Sequence, residues 1–142
     1  MATYPLRVML VEDDEIDAEK IKRAFRALAF PPHLTVYQTA SEALAALHSP
    51  HPMQPCYPTL VLLDLNLPGM SGLEFLQQVR QDAQLRELVV FVLTDSHNDA
   101  DRAAAYDLAI AGYLHKSGLG RSCENLVDLV DVYMQTMTIP AL

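Results

Sequence analysis

The chain has 142 residues, the size of one domain and enough to bury a proper hydrophobic core. Its formal net charge of −8 argues against nucleic acid as a direct partner, and no apolar stretch approaches the roughly 18 residues of a membrane span. No secretory signal opens the chain, and Cys56 and Cys123 lack the spacing of metal ligands. We therefore expect a cytoplasmic protein with free thiols.

The first predicted element is a strand over Leu6–Val11, an apolar run interrupted only by Arg7. It ends in an acidic cluster, Glu12–Glu15. If this strand lies beside the third strand, Glu12 and Asp13 converge with Asp64, and like charges that close raise one another's pKa or require a cation. Alternatively, the acids supply negative charge to the first turn of the following helix, where it is favourable. Both interpretations hold together if Asp14 and Glu15 serve the helix.

The next segment predicts a helix, a strand and a second helix. Apolar residues spaced by three and four positions place one face of the first helix against the core. The second strand is expected over about residues 34–38. Thr39 and Glu42 form a capping-box pattern ahead of the second helix, and a proline-rich loop over residues 48–58 follows it.

The third strand is the most informative one, because it ends in an acid. Leu60–Leu63 is an unbroken apolar run, typical of a strand buried on both faces of a parallel sheet. It ends at Asp64, ahead of the turn residues Leu65–Gly69. Open α/β sheets bind their ligands in the crevice beyond the carboxyl ends of the strands, where Asp64 would lie. The alternative is that Asp64 merely starts a turn, a common role for aspartate.

The remaining elements continue the alternation of helices and strands. In chain order they are a helix over Gly72–Gln81 capped by Ser71-x-x-Glu74, a strand over Leu88–Leu93 ending in Thr94, a helix started by Ser96-x-x-Asp99, a strand over Gly112–His115 ending in Lys116, and a helix from about Ser122.

Five alternations of strand and helix indicate an α/β fold with a doubly wound parallel sheet. Right-handed crossovers with helices on both faces give the five-stranded order 2-1-3-4-5, a flavodoxin-like three-layer sandwich. This order makes strands one and three neighbours, so Asp13 and Asp64 would meet at one rim. We expect a single domain over residues 1–142, with a core over about residues 6–137 and no output domain.

Polar side chains close four separate strands of this predicted sheet. The acids Glu12 and Asp13 follow strand one, Asp64 follows strand three, and Thr94 and Lys116 end strands four and five. A lone threonine or lysine there would be a cap or a surface residue, but together they predict a common site. Oxygen ligands without histidine or cysteine suit a hard cation that keeps several waters, and Mg²⁺ fits this description.

The order of these motifs resembles the response-regulator receiver domain of two-component signalling, over nearly the whole chain. The motifs are Val11-Glu12-Asp13-Asp14, Leu63-Asp64-Leu65-Asn66-Leu67-Pro68-Gly69-Met70, Val92-Leu93-Thr94 and Gly112-Tyr113-Leu114-His115-Lys116. The long segment before the third strand and the tail residues 136–140 resemble the subgroup paired with phytochrome sensor kinases.

The resemblance implies phosphoryl transfer onto Asp64 from a sensor histidine kinase, in this subgroup a phytochrome. It also implies a Mg²⁺ cofactor. Asp13 would ligate the ion directly, as would Asp64, while Glu12 would act through water. The backbone carbonyl of Asn66 would be a further ligand.

The resemblance also implies a conformational output. Lys116 and Thr94 would bind oxygens of the phosphoryl group. Thr94 and Tyr113 would then form the switch, with Thr94 moving towards the phosphoryl group and Tyr113 turning inward. The alternative for Tyr113 is simple packing at an edge strand.

Two residues depart from the family pattern. The family lysine is followed by a cis proline, whereas Lys116 is followed by Ser117. A cis bond without proline costs about 2.5–4 kcal/mol, so we expect a trans peptide here. The residue after the threonine is usually small, whereas this chain has Asp95, which should slow anionic phosphoryl donors.

The resemblance implies a signalling phosphoacceptor rather than an enzyme, with only Mg²⁺-dependent self-phosphorylation and slow self-dephosphorylation. One alternative is a phosphorylation-independent adaptor that keeps the fold, supported by Ser117 and Asp95. Another is a Mg²⁺-dependent phosphatase with an aspartyl nucleophile. Such phosphatases need a second acid two residues after the nucleophile, and this chain has Asn66 there.

The last predicted helix is apolar on more than one side. Val127, Val132 and Met134 lie off its main apolar stripe, and the tail over residues 137–142 is also apolar. We therefore expect a homodimer that uses this helix and the tail. The alternative is that the tail packs onto its own domain.

Overall fold

The chain forms a parallel sheet of five strands with helices on both faces. The structure is a computed structural model that describes residues 6–49, 59–136 and 138–139. Most of the predicted proline-rich loop, Cys56 and most of the C-terminal tail lie outside the described residues.

The elements follow the predicted alternation. The strands are β1 (Arg7–Val11), β2 (His33–Tyr37), β3 (Thr59–Leu63), β4 (Val89–Thr94) and β5 (Gly112–His115). The helices are α1 (Glu15–Arg26), α2 (Ala40–His48), α3 (Gly72–Gln81), α4 (Asp99–Asp107) and α5 (Glu124–Thr136), with a short 3₁₀ helix at Lys116–Gly118. None of the described helices is long and apolar enough to cross a membrane.

The strand order β2-β1-β3-β4-β5 confirms the predicted topology. Val11 pairs with Leu63, so β1 and β3 stop at the same level. Leu63 also pairs with Val92, and β4 runs two residues further, to Thr94. On β5, His115 pairs with Thr94. Residues that follow these strands therefore leave the sheet side by side.

The central strand β3 is buried along its whole length, as its unbroken apolar run predicts. Its side chains alternate between the two faces of the sheet. Leu60 and Leu62 pack in the cluster with α1 and α5, where Phe25 is 1% exposed. Val61 and Leu63 pack in the cluster with α2, α3 and α4, where Phe75 is fully buried.

The structure corrects the start of two helices. Helix α4 is capped by Asn98 rather than by Ser96, since the Asn98 side chain accepts hydrogen bonds from the N–H groups of Ala100 (2.8 Å) and Asp101 (3.3 Å). Helix α5 begins at Glu124 rather than near Ser122, because Cys123 adopts a left-handed backbone conformation with φ of 57°.

At the rim of the sheet where β4 begins, opposite the candidate site, Arg80 at the end of α3 links neighbouring elements. Its guanidinium donates hydrogen bonds to the carbonyls of Arg86 and Leu88, both at 2.8 Å. It also donates to Leu108 (2.6 Å) and Ala109 (3.1 Å), which follow α4. Arg80 thus joins the end of α3 to the start of β4 and to the turn between α4 and β5.

The start of α3 presses directly on the loop that carries Asp64. The N–H of Gly72 donates to the Leu65 carbonyl at 3.0 Å. A Cβ on Gly72 would lie 2.5 Å from the carbonyl oxygen of Asp64 and 2.6 Å from the Cα of Leu65. Only glycine therefore lets the helix approach this closely.

We expect Gly72→Ala to lower the free energy of unfolding by about 1–3 kcal/mol, because backbone atoms must shift to admit the new methyl group. Urea denaturation measures this loss. Gly118→Ala is the matched control, since a Cβ at Gly118 meets no atom within 4 Å. Equal stability of the two variants would contradict the prediction.

Candidate functional site

Three carboxylates converge where β1 and β3 end. The ladder of hydrogen bonds continues past each strand: the N–H of Glu12 donates to the Tyr37 carbonyl (2.9 Å), and the N–H of Asp64 donates to the Val11 carbonyl (3.0 Å). Ligand oxygens of Glu12, Asp13 and Asp64 all lie within 4.8 Å of one another. Glu12 and Asp64 are buried, whereas Asp13 is exposed. The cluster therefore opens to solvent on the side of Asp13.

Lys116 lies among these carboxylates. Its Nζ is 3.1 Å from Oδ2 of Asp64, 2.9 Å from Oδ2 of Asp17, and in contact with Oε1 of Glu12. The lysine side chain is only 12% exposed. Burial alone would lower the pKa of Lys116, but the hydrogen bonds to Glu12 and Asp17 and the charge of Asp64 outweigh it and raise the pKa. Lys116 therefore stays charged and balances part of the negative charge.

Glu12 is the most perturbed acid of the site. Its side chain is 1% exposed, and this burial raises the pKa of Glu12 to about 8. The hydrogen bond from Lys116 lowers the pKa, but the neighbouring Asp64 adds to the rise. Without a divalent cation, Glu12 therefore retains its proton well above the ordinary range of a carboxyl group.

Asp14 and Asp17, two of the acids at the start of α1, have different roles. Asp14 caps the helix, because its Oδ1 accepts from the N–H groups of Ile16 (2.9 Å) and Asp17 (3.0 Å). This confirms the interpretation that Asp14 serves the helix. Its pKa is lowered mainly by the backbone hydrogen bond from Asp17. Asp17, which the sequence motifs do not single out, reaches Lys116 from the first turn of α1.

The turn after β3 places Asn66 against the Asp64 carboxylate. The N–H of Asn66 donates to Oδ1 of Asp64 at 3.0 Å. Leu65 and Leu67 on either side are buried and anchor the turn, while Asn66 is exposed. The two oxygens of Asp64 thus have separate partners, the backbone at Oδ1 and Lys116 at Oδ2. The metal-ligand role of the Asn66 carbonyl stays a prediction.

Thr94 and Tyr113, the two predicted switch residues, are linked through Ser96. Thr94 is fully buried at the end of β4, and its Oγ1 accepts from the N–H of Ser96 at 3.1 Å. The hydroxyl of Tyr113 donates to the Ser96 carbonyl at 3.4 Å. Burial raises the pKa of Tyr113, so the hydroxyl stays protonated as a donor. A movement of Thr94 would therefore displace Ser96 and, through it, the partner of the Tyr113 hydroxyl.

Two histidines also belong to this region, although no sequence pattern singles them out. The rings of His97 and His115 stack with centroids 4.5 Å apart and an interplanar angle of 20°. Tyr113 meets His115 edge-on, with centroids 5.7 Å apart. The stack packs the loop after β4 against β5, beside Tyr113.

The site is assembled although Ser117 and Asp95 depart from the family pattern. The described residues contain no cis peptide bond, so Lys116 and Ser117 are joined by a trans peptide, as expected. Lys116 nevertheless reaches Asp64. Asp95 is exposed next to Thr94.

The arrangement is chemically suited to a hard divalent cation. Its donors are oxygens, two of the carboxylates are buried, and the exposed Asp13 leaves a side open to waters. A bound Mg²⁺ would offset the repulsion that these carboxylates exert on an incoming anion. Glu12, Asp13 and Asp64 are the side chains that could hold it.

Comparison with known proteins agrees with this geometry. The family described as the response regulator receiver domain matches residues 8–137. The response regulator Rcp1 of Synechocystis sp. is 32% identical over 142 residues, covering 96% of this chain and 95% of Rcp1. The probable methanogenesis regulatory protein FilR2 of Methanothrix harundinacea is 37% identical, covering 81% of this chain and 74% of FilR2.

Two solved structures are also similar. The phosphorylated cyanobacterial phytochrome response regulator RcpA superposes with a TM-score of 0.85 at 29% identity, covering 98% of this chain and 100% of RcpA. The Mn²⁺-bound form of Rcp1 superposes with a TM-score of 0.80 at 32% identity, covering 96% of this chain and 100% of the other. A close relative thus carries a divalent metal.

Glu12→Gln tests the charge balance of the site without metal. Between the ordinary pKa of 4.5 and about 8, folded Glu12 holds a proton that the unfolded chain has lost. The stabilising contribution of Glu12 is therefore complete below pH 4.5 and declines as the pH rises towards 8. Wild type should lose stability relative to E12Q over this range.

Urea denaturation in EDTA at several pH values measures the difference between wild type and E12Q. Glu15→Gln is the control, since Glu15 is an exposed acid three residues away at the start of α1. A difference between wild type and E12Q that does not change with pH would refute the prediction.

Proposed function

The chain belongs to the response regulator receiver family, and on this premise we propose that it accepts a phosphoryl group on Asp64 from a sensor histidine kinase. The observation that carries the proposal is the contact between Lys116 Nζ and Asp64 Oδ2 at 3.1 Å, beside Glu12 and Asp13. This contact brings together Asp64 as the candidate nucleophile and Lys116 as the cation that would pair with the phosphoryl group. Both lie beside the acids that would hold Mg²⁺.

The reaction is a displacement at phosphorus. A carboxylate oxygen of Asp64 attacks the phosphorus of a phosphohistidine, and an acyl phosphate forms. The bond between phosphorus and the imidazole nitrogen breaks, and its electron pair stays on the nitrogen. Mg²⁺, held by Asp13, Asp64 and the Asn66 carbonyl with Glu12 acting through water, would neutralise charge on the transferring group.

The side chains of the site then act on the new phosphoryl group. Lys116 already contacts the Asp64 carboxylate, so a small displacement would pair it with a phosphoryl oxygen. Thr94 would donate its hydroxyl to another oxygen. Its present role as acceptor from the Ser96 N–H leaves its proton available.

The output is a change of conformation. Phosphorylation adds about −1.5 to −2 charges. Thr94 moves towards the phosphoryl group, and the link through Ser96 carries this movement to Tyr113. A switch from 1:99 to 99:1 needs about 5.5 kcal/mol. The charge-assisted hydrogen bonds from Lys116 and Thr94, at about 1.5–3 kcal/mol each, would supply it together with the metal contacts.

We further propose a signalling phosphoacceptor rather than an enzyme with turnover. Two residues after Asp64, where phosphatases of this chemistry need a second acid, the chain has the exposed Asn66. Asn66 supplies a backbone N–H to Asp64 and no general acid. Slow hydrolysis of the acyl phosphate by water would reset the protein.

The similarity to phytochrome response regulators suggests the kinase partner. RcpA is named as a cyanobacterial phytochrome response regulator, and this chain covers all of it at a TM-score of 0.85. We therefore propose a phytochrome as the sensor kinase, acting in the cytoplasm.

Asp64→Asn should abolish phosphorylation, because an amide cannot attack phosphorus. Wild type incubated with acetyl phosphate and Mg²⁺ should gain one phosphoryl group in intact-protein mass spectrometry, while D64N should gain none. Omitting Mg²⁺ should also suppress the adduct. An unmodified wild type would refute the proposal and favour a phosphorylation-independent adaptor.

Asp95→Asn is the matched control. It removes an exposed carboxylate next to Thr94 without touching Asp64. D95N should still be phosphorylated, at a rate about twofold higher or more, because one negative charge fewer repels the anionic donor.

The proposed homodimer depends on a smaller surface than expected. Val127 is 5% exposed and belongs to the core, and Met134 is partly buried against it, so neither is free for a partner. Val132 is 59% exposed on α5. Ile139, in the described part of the tail, packs against the same core cluster, as the alternative of intramolecular packing predicts.

Val132→Asp tests this surface. If α5 forms the dimer interface, V132D should weaken association by about tenfold or more, because a charge would be buried. Light scattering over a range of concentrations measures it. Phe30→Asp is the control, since Phe30 is 71% exposed outside α5. Wild type that remains monomeric at high concentration would rule out the dimer.

A further inference from the structure

A cavity of about 560 Å³ lies behind Lys116, between α1 and the segment that joins β5 to α5. Its walls include Lys20 from α1 and Arg121 from the connecting segment. Lys116 forms part of the wall, so the cavity and the carboxylate cluster share one side chain. Volumes of roughly 300–1,000 Å³ are typical of pockets for small molecules.

The cavity concentrates positive charge on a chain whose net charge is −8. Lys20 and Arg121 are exposed, and neither forms an ion pair with any residue in the described part of the chain. Asp17 is the carboxylate in the wall, and Lys116 already holds it at 2.9 Å. Lys20, whose charge also acts on Asp14, and Arg121 thus line the same cavity without forming a salt bridge among the described residues.

The cavity also has an apolar side. Ile21 (2% exposed) and Leu119 (6% exposed) line it together with Cys123, which is 5% exposed. Burial raises the pKa of the Cys123 thiol, so it contributes a neutral surface. An inorganic ion would leave this side unused, whereas a molecule with a short apolar body would cover it.

We propose that this cavity binds a small organic anion, a carboxylate or phosphate monoester with a short apolar body. The anionic group lies between Lys20 and Arg121, and the apolar body rests on Ile21 and Leu119. The carboxylate cluster is not a competing site in the absence of metal, because Asp13 and Asp64 repel anions.

The shared lysine couples the cavity to the acceptor. Lys116 lines the cavity and also contacts Asp64, so an anion in the cavity adds negative charge that competes with the Asp64 carboxylate for the ammonium. The occupant should therefore slow phosphorylation, and phosphorylation should in turn weaken its binding. The two effects are equal in size only for the equilibria, not for the rate. This coupling rests on the proposed function, whereas the binding itself does not.

Phenylphosphonate is a suitable probe, because its carbon–phosphorus bond prevents it from donating a phosphoryl group. A titration in EDTA is followed by ¹H–¹⁵N correlation spectra. Saturable shifts are expected at Lys20 and over Leu119–Cys123. Lys20→Gln and Arg121→Gln should each weaken binding about three- to tenfold.

Lys22→Gln is the matched control. It removes the same charge from the same helix but does not line the cavity, so binding should be unchanged. Equal weakening in K22Q and R121Q would overturn the proposal in favour of general charge attraction. Shifts centred on Asp64, or no saturable shifts, would overturn it as well.

The coupling is measured with acetyl phosphate and Mg²⁺, with and without phenylphosphonate. Slower phosphorylation in wild type and a smaller effect in R121Q are expected. The same slowing in both proteins would assign the effect to competition at the acceptor and refute the coupling. If no phosphorylation occurs at all, the proposed function fails while the binding result stands.

Discussion

The interaction on which the site depends is the contact of one ammonium group with three carboxylates. Lys116 meets Glu12, Asp17 and Asp64, while Asp13 adds a fourth acid at the solvent side. One positive charge cannot balance four negative ones. Part of the imbalance is relieved by the burial of Glu12, which raises its pKa so that it retains a proton. A divalent cation would supply the missing charge, which explains how a cluster that is unfavourable alone persists in this fold.

The sheet makes this cluster unavoidable once the strands are paired. Val11 and Leu63 lie side by side in register, so Glu12 and Asp64 enter the same crevice. β4 continues two residues beyond Val92, the partner of Leu63, and brings Thr94 to the same rim. The start of α3 then packs directly against the loop that carries Asp64. The approach is so close that only glycine fits at position 72. The acceptor therefore depends on sheet packing and helix packing together. A chain with the same acids but a shifted register would not assemble the site.

The strands and the site residues after them could be predicted because a central parallel strand must be apolar on both faces. The end of each apolar run then marks the rim of the sheet, and Glu12, Asp64, Thr94 and Lys116 follow directly from it. Asp17 could not be found this way, since it reaches Lys116 through the docking angle of α1, which the spacing of apolar residues does not encode.

The burial of Val127 and the identity of the residue that caps α4 could not be predicted from the sequence either. Val127 looks as if it lies off the main stripe, but α5 packs into the sheet closely enough to cover both sides of that stripe. At α4, Ser96 and Asn98 are both good capping residues, and the choice depends on the loop. The hydroxyl of Ser96 instead donates to Asp101 and accepts from the N–H of Asn98, which leaves the Asn98 side chain to cap the helix.

The four carbonyls held by Arg80 have a mechanical consequence. Two of them follow α4, so the far end of this helix is anchored to α3 and to the start of β4. Its near end begins beside the Ser96 loop, which lies next to Thr94. A helix pinned at one end and pushed at the other rotates about the pin. Displacements at the rim would therefore turn α4 about its far end, with the largest movement at the near end and the smallest beside Arg80.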